Sequence, residues 1–182
     1  MAKLNFLTSS SSLLQLFLLL TISLAAAQGT PTPPQQKLSH LRFFWHDVVG
    51  GPNATAVPVT RPPNATATAF GTMVVIDDAM TEGPEITSKL VGRAQGFYLL
   101  ASQTEAALLM SMNLAFTDGK RNGSTLAVLG RNPVFDKVRE MAVVGGTGVF
   151  RLARGYAQLK TYSLDATSRN AVVEYNVYVT YY

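Results

Sequence analysis

The closing stretch AVVEYNVYVTYY, residues 171–182, alternates without a break: Val173, Tyr175, Val177, Val179 and Tyr181 stand against Glu174, Asn176, Tyr178 and Thr180. Successive side chains of a strand point to opposite faces, so this segment has one dry and one wet side and needs other strands to cover the dry one. No segment shows a convincing helical period, and the remaining apolar runs follow at close spacing between Gly, Pro and Asn clusters. LSHLRFFWHDVV reads as the first strand. GPNATAVPVTRPPNATAT is a long loop with a short extended piece at its centre. FGTMVVID is a second strand ending in an acidic turn, DDAMTEGPE. KLVGRAQGFYLLAS and AALLMSMNLAFT form a long pair about QTE, although ALLMSMNLAF has the composition of a buried helix as well. DGKRNGS carries two hairpin dipeptides, Asp118-Gly119 and Asn122-Gly123, before the strand TLAVLG. REMAVVGGTGVFRLARGYAQLKTYSL reads as two strands folded about Gly145, Gly146, Thr147 and Gly148; the GGTG lacks the Lys and following helix of a phosphate loop. About eight antiparallel strands in one domain predict an all-β up-and-down barrel, because closure removes exposed edges. A sandwich is the alternative.

The chain opens as an export signal does: Lys3, an apolar run from Leu13 to Ala26, and small residues suited to cleavage after Ala27. The run falls short of the ~20 residues of a spanning helix, so a membrane anchor is the weaker reading. Residues 28–37, QGTPTPPQQK, are proline-rich and read as a disordered lead-in to a barrel domain at 38–182. Losing Lys3 takes 15 basic residues to 14 against 11 acidic ones, a balance of +3. The basic residues are scattered, which argues against a nucleic-acid partner. There is no cysteine, although an exported chain could oxidise one, so stability falls to packing, sheet closure or assembly. Behind an export signal the sequons at Asn53, Asn64 and Asn122 read as glycosylation sites on wet loops; Asn122 also reads as a turn residue. His40 and His46 lie ~20 Å apart along one strand face, too far for one metal ion, and read as surface or interface residues. No metal site is expected.

Two segments point to a cavity. In the first strand Leu41, Phe43, Trp45, Asp47 and Val49 share a face, which sets a carboxyl group among apolar neighbours. Such a group is either a structural Asp satisfied by backbone amides or an acid whose proton is held by desolvation. In GRAQGFY, Gly92, Ala94, Gly96 and Tyr98 share a face; the small residues leave a void beside a phenol or merely let the strand bend.

The blocks FFWHDVVGG, FGTMVVIDDAMTEGP, VGRAQGFY, MNLAFTDG, VREMAVVGGTGVFRLARGYA and VEYNVYVTYY together resemble the plant dirigent proteins, over Leu41 to Tyr182. The resemblance implies an eight-stranded antiparallel barrel similar to the allene oxide cyclase fold. It also implies a secreted apoplastic glycoprotein assembled as a homo-oligomer, with a trimer expected. Such proteins carry no cofactor or redox centre. A separate laccase or peroxidase makes phenoxyl radicals, and the barrel orients two of them, for example from coniferyl alcohol, so that coupling gives an optically active lignan. That is the leading expectation, with no oxidase activity of the protein's own.

The same resemblance makes Asp47, Tyr98 and Arg139 pocket residues, with Asp47 as acid and Phe43 and Trp45 beside it. Pinoresinol-forming members have a second catalytic Asp where this chain has Asn132, which cannot deliver a proton; Asp136 is the one nearby substitute. The stretch GRNPVFDKVREMAVVGGTG is closer to the subgroup with pterocarpan synthases, which dehydrate an isoflavanol through a quinone methide. Acid-assisted dehydration is therefore the alternative, and a barrel that only binds phenolics or wall glycans is the third reading. Phe44, Val48, Phe150, Leu152 and Tyr156 are expected to face outward and be covered in an oligomer.

Overall fold

The computed structural model describes residues 35–62 and 69–182. The expected leader and the Asn64 sequon lie outside them, as does most of the lead-in, of which Lys37 already belongs to a strand. Nine strands form one antiparallel sheet: β1 (Lys37–Asp47), β2 (Ala56–Thr60), β3 (Met73–Thr81), β4 (Leu90–Leu100), β5 (Ala107–Phe116), β6 (Thr125–Pro133), β7 (Arg139–Gly146), β8 (Arg154–Leu164) and β9 (Ala171–Tyr181). Neighbours run β1-β9-β8-β7-β6-β5-β4-β3-β2, and β1 also pairs with β3, so eight strands close into the expected barrel. The extended piece in the long loop is the ninth strand, β2. One edge of β3 is shared: β2 takes Met73 to Ile76, and β1 takes Ala79 to Thr81.

Alternation explains the core. Val74, Ile76 and Met80 of β3, Met110, Met112 and Leu114 of β5, and Val173, Tyr175, Val177 and Val179 of β9 all point inward and are buried. A stack of Phe43 on Tyr175, with ring centroids 5.3 Å apart, fills the middle, and Trp45 meets the same ring edge-on at 6.0 Å. One end is stoppered by Phe150 between Phe116 and Tyr181, at 5.4 and 5.1 Å. Each such aromatic, taken from water, contributes about 1.5–3 kcal/mol.

Four expectations change. β3 runs through Asp78 to Thr81, where a turn was expected, because Asp78 and Met80 continue its inward row. His46 is buried rather than at the surface, and its Nε2 is 2.7 Å from the Thr81 hydroxyl. Phe150 faces the core, since the chain after the glycine turn makes a short 3-10 turn that folds the ring inward; Phe44 is buried too, against the edge of Tyr162. Leu152 and Tyr156 are exposed as expected, and Val48 is half-buried.

Finally, Gly92 and Gly96 bound no void. A Cβ at Gly92 would strike the Ala115 carbonyl and stand 2.8 Å from Met80 Cε, and one at Gly96 would strike the Ser111 carbonyl. The glycines let β5 approach β4. Gly92→Ala is expected to destabilise the fold by about 1–3 kcal/mol, measured by denaturant unfolding.

Candidate active site

The barrel opens at the end away from the Phe150 stopper, where β1, β4, β6, β7 and β8 present inward polar residues. A cavity of about 340 Å³ is lined by Trp45, Asp47, Asn132, Arg139, Thr161 and Val173, among others. A neighbouring cavity of about 470 Å³ is lined by Asp47, Tyr98, Val74, Arg61 and Arg169, among others. Asp47, Leu108 and Arg169 belong to both, so the two cavities adjoin at Asp47.

Asp47 ends β1, where its neighbours are apolar. Its Oδ2 accepts a hydrogen bond from the Tyr98 hydroxyl at 3.4 Å, while Oδ1 is buried without a partner. Desolvation, reinforced by the charge of Asp78, pushes its pKa to about 8, against the smaller opposing effect of the Tyr98 hydrogen bond. The group is a neutral acid at pH 7. Tyr98 is raised in turn, by desolvation first and then by the two carboxylates, so it stays a donor.

Arg139 opens β7 on its inward row and is buried. Nε donates to Asn132 Oδ1 at 3.0 Å, and Nη1 donates to the Thr161 hydroxyl at 2.7 Å and to the carbonyls of Val134 and Asp136 at 3.3 and 3.4 Å. All four acceptors are neutral groups. Desolvation lowers the guanidinium pKa, but an arginine keeps its charge. Nη2 makes no hydrogen bond to a described residue, and Arg139 is among the residues lining the first cavity.

The structure therefore brings Asp47, Tyr98, Arg139, Asn132 and Trp45 together and leaves other expected residues aside. Phe43, Gly92, Ala94 and Gly96 lie deeper in the wall and line neither cavity. Asp136 is exposed and lines neither cavity; its carbonyl accepts from Arg139 and its carboxylate acts on that cation only by charge, so it does not replace the missing acid. Asn132 holds the guanidinium by Oδ1 and turns Nδ2 to Met110 Sδ at 3.1 Å.

A second carboxyl group comes from elsewhere. Asp78 of β3 is fully buried, with Oδ1 accepting from the Thr55 hydroxyl and Oδ2 unpartnered. Burial raises its pKa to about 7, against the Thr55 hydrogen bond and the nearby Trp45 indole N–H, which completes no hydrogen bond. The signal was in the alternation Val74, Ile76, Asp78, Met80, hidden because the tandem acids and following Gly-Pro resemble a turn. Among the described residues no three His, Asp or Glu side chains gather as metal ligands.

Comparison with known proteins agrees with this architecture. Residues 38–180 match the family model of dirigent-like proteins. Dirigent protein 21 of Arabidopsis thaliana is 54% identical over 151 residues, covering 82% of this chain and 80% of the relative. Pterocarpan synthase 1 of Glycine max is 50% identical over 177 residues, covering 93% and 95%. The solved structure of a pterocarpan synthase dirigent protein superposes with a TM-score of 0.78 at 52% identity, covering 83% of this chain and 88% of that one. The chain belongs to the dirigent family.

Asp47 and Asp78 have values raised well above 3.8, so between about pH 4 and about pH 8 the folded chain binds more protons than the unfolded one. Their contribution to stability is complete below that window and is lost as pH rises through it. The carboxylates with lowered values, Asp77, Asp118, Asp165 and Glu174, act in the opposite sense at the acid edge, and buried His46, lowered by desolvation, opposes the pair more weakly below about pH 6.5. The unfolding midpoint is expected to fall from about pH 5 to about pH 8. Asp47→Asn should flatten the upper part of that slope in calorimetric scans.

Proposed function

We propose that this protein is a pterocarpan-synthase-like dirigent protein that dehydrates an isoflavanol through a quinone methide. The observation that carries the reading is the pairing, in one cavity, of a neutral carboxylic acid at Asp47 with the buried Arg139 cation, whose hydrogen bonds all go to neutral acceptors. About 340 Å³ lies within the ~300–1,000 Å³ typical of small-molecule sites.

In this mechanism Asp47 gives its proton to the benzylic hydroxyl, the C–O bond breaks and water leaves. The ring phenol loses its proton to the Asp47 carboxylate and becomes the quinone methide. A second phenolic hydroxyl of the same molecule then adds to the methide carbon, and its proton passes to the quinone oxygen, restoring the phenol. One water is lost overall and no oxidant is needed. Arg139 Nη2 faces the charge that collects on the quinone oxygen, a role that an Asp at position 132 would weaken by pairing with the guanidinium. Tyr98 holds the acid in place.

A second reading, stereoselective coupling of two phenoxy radicals made by a separate oxidase, is favoured by the second cavity sharing Asp47. There the wall fixes which faces meet, and Asp47 assists ring closure afterwards. Export to the apoplast, glycosylation and assembly into a homo-oligomer accompany both readings as proposals; Asn53 and Asn122 are exposed, as attachment requires.

Purified protein with an isoflavanol and no oxidant is expected to yield pterocarpan, and Asp47→Asn to slow the reaction by about 10²–10⁴-fold. No product there, together with one enantiomer in excess from coniferyl alcohol and laccase, would transfer the assignment to radical coupling.

A further inference from the structure

The buried side-chain polar atoms without a hydrogen-bond partner among the described residues are Trp45 Nε1, Asp47 Oδ1, Asp78 Oδ2 and Tyr175 Oη, and all belong to the inward rows of β1, β3 and β9. The β1–β3 register pairs Phe44 with Thr81, Trp45 with Met80 and His46 with Ala79. Continued by one residue it sets Asp47 against Asp78, at the fork where β1 leaves the edge of β3 and β2 takes it over. Residues opposite one another on the same face hold their Cβ atoms ~4.5–5.5 Å apart, and like charges there repel. The fork is held by Thr55, whose carbonyl accepts the Asp77 N–H at 3.0 Å while its hydroxyl caps Asp78.

From this geometry we infer that Asp78 is a positioning residue for the acid: its carboxylate, facing Asp47 across the β1–β3 closure, keeps the proton on Asp47 until a guest takes it. The inference rests on the role given above to Asp47. Asp78 lines neither cavity, so it touches no guest and acts through its partner.

The other groups around the pair do not supply this effect. Tyr98 on β4 donates to Asp47 and favours its ionised form. Tyr175 on β9 stays neutral, held there by burial. Arg139 on β7, held by Asn132 and Thr161, is a cation and cannot favour the protonated acid. On the outer face Arg93 of β4 is paired with Asp77, which leaves opposing and weaker influences on Asp78. Asp78 is the group that opposes loss of the Asp47 proton by charge.

The pair then releases its protons in two coupled steps that belong to the dyad, both above the ordinary carboxylate range. Asp47 is the member of the pair that lines the cavities, so the proton it keeps is the one a guest can take. Removing the Asp78 charge should make Asp47 a stronger acid that empties earlier.

The test is the pH dependence of isoflavanol turnover by wild type and Asp78→Asn, alongside infrared titration of the carboxylic acid carbonyl bands in both. The alkaline limb of activity and the upper carbonyl step are expected to move down by about one unit or more in Asp78→Asn. A variant whose rate drops equally at every pH, with the upper step unmoved, would show Asp78 to be structural and overturn the inference. If wild type fails to turn over isoflavanol the proposed reaction falls, but the infrared shift still decides the coupling. Should Asp78→Asn not fold, Asp47→Asn serves: one raised step must vanish and the other remain near its lower position. A single step at an ordinary carboxylate pH would refute the dyad.

Discussion

Three register pairs between β1 and β3 turn a curled sheet into a closed barrel, and the rest of the molecule depends on them. Without that contact β1 would be an open edge hanging on β9, Trp45 would lose its inward neighbours, and Asp47 would face water. Closure is also where the electrostatic cost concentrates, because it sets two carboxyl groups toward each other in a place that water reaches poorly. The fold stays closed there because both groups can carry protons and because the surrounding Phe43, Tyr175 and Met80 bury enough apolar surface to offset the unpartnered oxygens.

Much of the barrel was legible from one rule. In β9, β7 and most of β1 the period of two fixes inward and outward rows directly, so Asp47 and Arg139 stand out as charges in apolar rows. The rule failed where another signal competed. Asp77-Asp78 ahead of Gly83-Pro84 has turn chemistry, yet the inward row continues through Asp78 and Met80 because β4 and β1 pair across it. Phe150 escaped because it lies in a 3-10 turn, where alternation says nothing. His46 and Phe44 sit on the outer face by periodicity and are buried all the same, which a single strand's pattern cannot report.

The site was half legible for a similar reason. Its charged members could be named one strand at a time, but their grouping depends on where eight strand ends meet at one mouth. Asn132 was read as a loss, a position where a proton donor had gone. In the barrel it is the carbonyl that orients a guanidinium, and its neutrality leaves that cation free to act on a guest. For the small residues of β4 the sequence left a void and a bending strand both open, and the approach of β5 at Gly92 and Gly96 rules out the void there.

The Phe150 stopper has a further implication for traffic. With Phe116, Phe150 and Tyr181 sealing one end, the cavities around Asp47 communicate with solvent through the opposite rim among the described residues. Guests then come and go at that rim, where Arg169 lines both cavities. A finished molecule left beside Asp47 therefore blocks the next arrival, and its departure from that rim bears on how often the barrel can be used.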